Sequence, residues 1–226
     1  ILPTSRIHYQ IEKAGDVVNV VPDYAKIWTR IRENSVERVD VMYERALNIA
    51  KGAALMTGTK YETKLISGIY EILVNRTGAE AMQKNLETLG EIVYTKDEIN
   101  YANKILKETG KPQNGINGKV TPLQETLPAQ GGSTDVGDVS QVVPTIRMSA
   151  TVASDGGPWH SWAVVACTGM SIGHKGMIYA AKALSMTMAD LYKDPKLVEA
   201  VKNDYKKNKS SKPYKPRILP GPPSLE

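Results

Sequence analysis

The period of the hydrophobic pattern changes once early in the chain, and that change limits the folds open to it. Residues 6–12 alternate, with Ile7, Tyr9 and Ile11 on one side and Arg6, His8, Gln10 and Glu12 on the other. Residues 25–32 alternate again, setting Ile27, Thr29 and Ile31 against Trp28, Arg30 and Arg32. Between them, Ala14-Gly15-Asp16 is a turn, and Val17 to Val21 is apolar and β-branched, interrupted by Asn19 and ended by Pro22. From Asn34-Ser35, an N-cap signal, the spacing becomes helical: Val36, Val39, Tyr43, Ala46, Ala50 and Ala53 share a face, and Gly58 closes the helix. Tyr61 to Ile69 reads as a strand. The order strand, strand, helix, strand predicts a small α/β sandwich with antiparallel strands.

The remainder is more helical. Thr77 to Leu89 carries Ala81, Met82, Leu86 and Leu89 on one face. Thr95-Lys-Asp-Glu98 is a capping box opening a helix to about Glu108. Residues 110–132, rich in Gly, Pro, Asn and Gln, predict a long loop of the kind that tends to carry function. Thr145 to Ala153 is a strand candidate. Ser171 is placed to cap a helix from Gly173 to Tyr192, and Asp194-Pro195 starts a last helix to about Asn208.

Composition excludes several classes. With 41% hydrophobic and 23% charged residues over 226 positions, the chain reads as a globular protein with a sizeable core. It has no apolar run of the ~18–20 residues that a membrane helix needs. One cysteine, Cys167, excludes an internal disulfide framework. Ile1 opens the chain without a signal-peptide pattern and suggests a processed or trimmed piece of something longer, Leu225-Glu226 suggests a cloning remnant, and the expected location is cytoplasmic. The net charge of +5 is concentrated between Lys202 and Arg217. That stretch lacks the interleaved aromatics of a single-strand binder and is followed by Pro220, Pro222 and Pro223. It predicts a solvated basic tail, with neither nucleic acid nor membrane as partner.

Candidate chemistry lies in three places. Gly131 to Val139 packs three glycines and two aspartates, Asp135 and Asp138, into nine residues. Ser133 or Thr134 suits a helix cap there, with Asp135 favourable to the dipole. Asp155 to Trp162 is a Gly/Pro loop holding His160 between Trp159 and Trp162. An imidazole in such a loop suits a zinc ligand or an acid/base, or a purely structural role. His174 begins a helix and has the same ambiguity, and the dipole favours its neutral form. Ser161 has no nucleophile elbow around it. Cys167, in an apolar run, reads as a packed small residue.

Taken in order, these segments resemble the dinuclear zinc amidohydrolase, aminoacylase and carboxypeptidase G family, in its p-aminobenzoyl-glutamate utilisation branch. The residues that carry the resemblance are Arg6 to Tyr9, Asn19 to Pro22 with Trp28 to Arg32, Asn75-Arg76, Gly132 to Asp138, Pro158 to Trp162 and Ile172 to Met177. The resemblance implies an α/β fold. Residues 1–72 would be the second part of a ferredoxin-like α+β lid or dimerisation domain, and residues 73–208 the C-terminal part of a zinc-exopeptidase-like catalytic domain. Residues 209–226 would form the basic, Pro-rich tail.

By the same resemblance, His160 is the last metal ligand, with His174 the second choice. Asn19 and Arg32 hold the substrate's carboxylate or carbonyl, a task that suits the bidentate guanidinium. Ser133, Thr134 and Asp135 line the substrate pocket. No catalytic residue lies within the chain, because the family's His-x-Asp motif and Glu-Glu pair fall upstream. The complete enzyme would use two zinc ions (manganese or cobalt as substitutes) to activate a bridging water. It would cleave an acyl-amino acid or p-aminobenzoyl-glutamate-like amide, and would act as a homodimer. The alternatives are a non-catalytic assembly module and, more distantly, a basic-tail nucleic-acid binder.

Overall fold

A computed structural model describes residues 2–125, 132–218 and 220–221. The chain divides into two compact units. Unit 1 comprises Ile1–Leu73, Thr126–Val142 and Ser210–Glu226, and unit 2 comprises Val74–Glu125 and Val143–Lys209. The expected division at residues 72, 208 and 209 differs in two respects. The segment up to Val142 and the C-terminal tail both join unit 1.

Unit 1 contains β1 (Arg6–Lys13) and β2 (Lys26–Arg32), which pair antiparallel with Arg6 opposite Arg32 and Ile11 opposite Ile27. Among the described residues this two-stranded ladder is the sheet. Helix α1 (Val36–Thr57) packs against β2 and buries Val36, Met42 and Ala54. Its caps are those its sequence predicts. The Ser35 hydroxyl accepts from the Arg38 amide, and Gly58 takes the left-handed conformation with φ +65.

Two apolar stretches form no strand, and for the second this departs from expectation. Val17 to Val20 forms a turn, closed by the Val20 amide donating to the Val17 carbonyl at 3.2 Å, and Val18 is fully exposed. β-branched residues favour a strand only where a partner ladder meets them, and Asn19 and Pro22 favour the turn. Tyr61 to Ile69 forms no strand either. The segment just after it is held by side chains instead. The Tyr70 amide donates to Asp138 at 3.3 Å and the Leu73 amide to the Ser140 hydroxyl at 2.8 Å. Both acceptors lie on the short helix α4 (Val136–Val142). The approach is so close that a Cβ on Gly137 would lie 1.9 Å from the Tyr70 carbonyl oxygen, which is why a glycine stands there.

Unit 2 is helical: α2 (Arg76–Leu89), α3 (Lys96–Glu108), α5 (Trp162–Thr168), α6 (Ser171–Lys193) and α7 (Pro195–Asn208). Helix α2 packs on α6 and α7, and α5 packs on α3 and α6. Ala102, Ile105, Ala163, Cys167 and Ile172 form a buried cluster, with Tyr94, Tyr101 and Ile116 around it. Cys167 is fully buried there, in line with a packing role. The buried Asn75 caps α2 by accepting from the Gly78 amide and donates to the Val201 carbonyl at 2.9 Å, tying α2 to α7.

Thr145 to Ala153 is not a strand. It is tied to other loops by side chains, with Thr151 donating through its hydroxyl to the Asn117 carbonyl and accepting through its carbonyl from the Tyr94 hydroxyl. Of the long loop expected at 110–132, residues 126–131 lie outside the described residues. The part before them is pinned: the Gly115 amide donates to Asn103 at 2.9 Å and the Ile92 amide to the Gly118 carbonyl.

Candidate functional site

The loop that carries His160 is built in unit 2, from Ser154 to the start of α5. Ser154 is buried and accepts the Gly157 amide through its carbonyl, while the Asp155 amide donates to the Gly115 carbonyl at 2.9 Å. Ser161 closes the loop: its hydroxyl donates to the Pro158 carbonyl at 2.6 Å and accepts from the Ala163 amide to cap α5. Between these anchors His160 stands at φ +60, alone in that region among the non-glycine residues described. An L-residue with a Cβ adopts this conformation at a cost of about 1–3 kcal/mol, and only where its surroundings dictate it. The imidazole is exposed, with the exposed rings of Trp159 and Trp162 on either side of it in sequence.

His174 lies in the first turn of α6, also exposed. The rest of its motif is packing. A Cβ on Gly173 would meet the Thr168 carbonyl oxygen at 2.1 Å, and one on Gly176 the Thr151 carbonyl oxygen at 2.2 Å. Lys175 turns back to Glu98, donating to its carboxylate at 2.6 Å and to the Val93 carbonyl at 2.9 Å. Ser171, expected to cap α6, donates to Glu98 instead at 2.6 Å, and Met170 occupies the cap position without a side-chain bond.

Glu98 therefore has two tasks. It completes the capping box of α3 by accepting the Thr95 amide at 2.7 Å, and it anchors the start of α6. Burial pushes its carboxyl up, but the bonds from Lys175, Ser171 and the Thr95 amide outweigh this and hold it at about 2. Tyr94, beneath the Lys175 ammonium, is pushed up to about 12 by burial and by the Glu98 carboxylate. The capping-box pattern made half of this visible in sequence; the link to α6 had no local signal.

The remaining candidate residues lie in unit 1. Asn19 is exposed at the third position of the 17–20 turn, at the loop end of the hairpin. Arg32 closes β2 at the other end, opposite Arg6. Seven strand residues separate these ends, about 20 Å at the usual rise. Within one hairpin, therefore, Asn19 and Arg32 do not meet. Ser133 and Asp135 are exposed ahead of α4, and the Thr134 hydroxyl accepts from the Val136 amide at 3.4 Å. Asp138 is not free for ligand: it accepts from the Tyr70 amide and from the Tyr214 hydroxyl, the latter at 2.9 Å. Asp135 opens onto a cavity of about 220 Å³ lined also by Ile69, Tyr214, Pro216 and Arg217.

A zinc centre takes three or four protein ligands. Among the described residues, no three His, Cys, Asp or Glu side chains come together in a way that would hold a metal ion. The chain's own described side chains thus do not fit a complete zinc site. No helix among the described residues is long and apolar enough to cross a membrane.

No protein-family model matches the chain. Among curated proteins, one of the subunits of the p-aminobenzoyl-glutamate hydrolase of Escherichia coli is 32% identical over 240 residues, covering 95% of this chain and 50% of that protein. The Xaa-Arg dipeptidases of Mus musculus and Homo sapiens are 26% and 27% identical, each match covering 90% of this chain and 41% of the relative. The chain thus spans about half the length, or less, of the curated relatives it matches.

Proposed function

The chain is homologous to the family of the p-aminobenzoyl-glutamate hydrolase and the Xaa-Arg dipeptidases, and from that premise we propose that it is one part of a metal-dependent amidohydrolase. Its substrate is an amide with a carboxylate beside the scissile bond. Unit 1 serves as part of the lid, ferredoxin-like and dimer-forming, and unit 2 as part of the catalytic body. His160 supplies one imidazole to a metal centre whose other ligands come from outside the matched region. Asn19, Arg32 and the Ser133–Asp135 segment contact substrate, with Asn19 and Arg32 serving different ends of the lid.

The observation that carries this reading is His160 itself. It is exposed, strained into the left-handed region and held there by Ser154, Pro158 and Ser161. Strain held at an exposed imidazole supports a role for the side chain itself, and presenting it to a metal is the role the homology suggests.

The test is release of p-aminobenzoate from p-aminobenzoyl-glutamate. The chain alone is expected to release none. A chimera joining it to the unmatched half of its Escherichia coli hydrolase relative is expected to be active with zinc, and to lose at least about a hundredfold with His160→Ala. Zinc-dependent turnover by the chain alone would refute the reading of an incomplete site.

A second reading, an assembly module, is favoured by one observation. Ile7, Ile11 and Ile27 on the sheet and Ile49, Leu55 and Met56 on α1 are all exposed.

A further inference from the structure

Residues 210–218, which the sequence presents as a solvated basic tail, are fastened to unit 1 at several points. The Tyr214 hydroxyl donates to Asp138 at 2.9 Å. The Lys215 carbonyl accepts from the Tyr70 hydroxyl at 3.1 Å, and the Tyr70 and Tyr214 rings meet at 5.1 Å between centroids. Arg217 engages both oxygens of Asp40 on α1, one of them at 2.7 Å, with its guanidinium 5.5 Å from the centre of the Tyr70 ring. Gly68 makes room for it: a Cβ there would lie 2.9 Å from the Arg217 Cβ. Charge-assisted bidentate pairing combined with stacking is a strong way to hold an arginine.

One of these bonds reaches α4, just after the Ser133–Asp135 segment, and another reaches α1. Asp138 receives the strap's Tyr214 with one carboxylate oxygen and the Tyr70 amide with the other. Asp135 and the strap residues Tyr214, Pro216 and Arg217 wall the same cavity. We propose that the strap is a latch. Tyr214 on Asp138 and Arg217 on Asp40 fix the position of the Ser133–Asp138 segment, and both are positioning residues for whatever that segment binds. That this ligand is the amide substrate rests on the functional reading above; the latch does not.

Hydrogen exchange followed by mass spectrometry on the full chain tests it. Tyr214→Phe and Arg217→Gln are each expected to raise exchange of residues 133–140 about tenfold or more, the factor set by one charge-assisted hydrogen bond. Exchange in α6, which lies in unit 2, should remain as in the parent, and Arg217→Lys should restore part of the protection. Lys212→Gln, a change in strap charge alone, should have no effect. Unchanged exchange at 133–140, or a rise matched by α6, would overturn the latch, since the strap would then be idle or merely stabilising. In the active chimera, Tyr214→Phe should raise KM for p-aminobenzoyl-glutamate with kcat little altered. A chimera without activity defeats the functional reading, while the exchange pattern still decides the latch.

Discussion

At His160 backbone energy and chemical role oppose one another. Glycine accepts φ +60 without cost, so His160→Gly is expected to stabilise unit 2 by about 1 kcal/mol, read as a higher urea midpoint. The same substitution should abolish the activity of the chimera. A gain in stability combined with a loss of function is the signature of a residue kept for its side chain. A loss in both would mark His160 as structural. Glu98 gives the opposite pattern. Its carboxyl titrates near 4.5 in an unfolded chain and at about 2 in the fold. The folded state therefore favours the ionised form, so its contribution is complete above about pH 4.5 and is lost as the pH falls toward 2. Acid unfolding followed by circular dichroism should show unit 2 weakening across that window. Glu98→Gln should flatten the weakening and lower stability at neutral pH by about 2 kcal/mol, since Lys175 keeps some access to water.

The helix ends follow local rules, and those rules made them legible. Ser35 and Gly58, the Thr95–Glu98 box and Asp194-Pro195 each stand where the sequence puts them, because a cap is decided within three or four residues. The strands expected at 61–69 and 145–153 fail for the converse reason. A strand needs a ladder, and no pattern within either stretch reports whether a partner arrives. The sites divide in the same way. His160 and His174 were visible as loop and helix-start histidines, but Asp138 meets Tyr70 and Tyr214 across gaps of 68 and 76 residues, beyond any spacing rule. Asn75 belongs to both classes. Its cap on α2 was open to local reading, and its bond to Val201 was not. Asn75→Ala should therefore cost more than an ordinary cap, about 2–3 kcal/mol in chemical denaturation, because a buried carbonyl loses its donor as well. Asn75→Asp, which keeps the acceptor alone, should fall between the parent and the alanine variant.

For the molecule as a whole, association is the property most open to measurement. The exposed apolar residues of β1, β2 and α1 predict self-association through unit 1. Light scattering across a concentration series should give a mass approaching twice that of one chain, and Ile27→Lys should return it to the monomer. A strictly monomeric parent would remove the assembly reading. The division into units also has a consequence for how the molecule is made. Unit 1 begins with the first 73 residues, yet Asp40 pairs with Arg217 of the strap and the Tyr70 hydroxyl with the Lys215 carbonyl, 177 and 145 residues later. At translation speeds of about 5–20 residues per second, roughly seven to thirty-five seconds separate the synthesis of Asp40 and Tyr70 from that of these strap partners. A chain cut before Tyr214 is therefore expected to complete unit 2 while leaving Asp40 and the Tyr70 ring of unit 1 without these contacts, so limited proteolysis of such a truncated chain should attack unit 1 first.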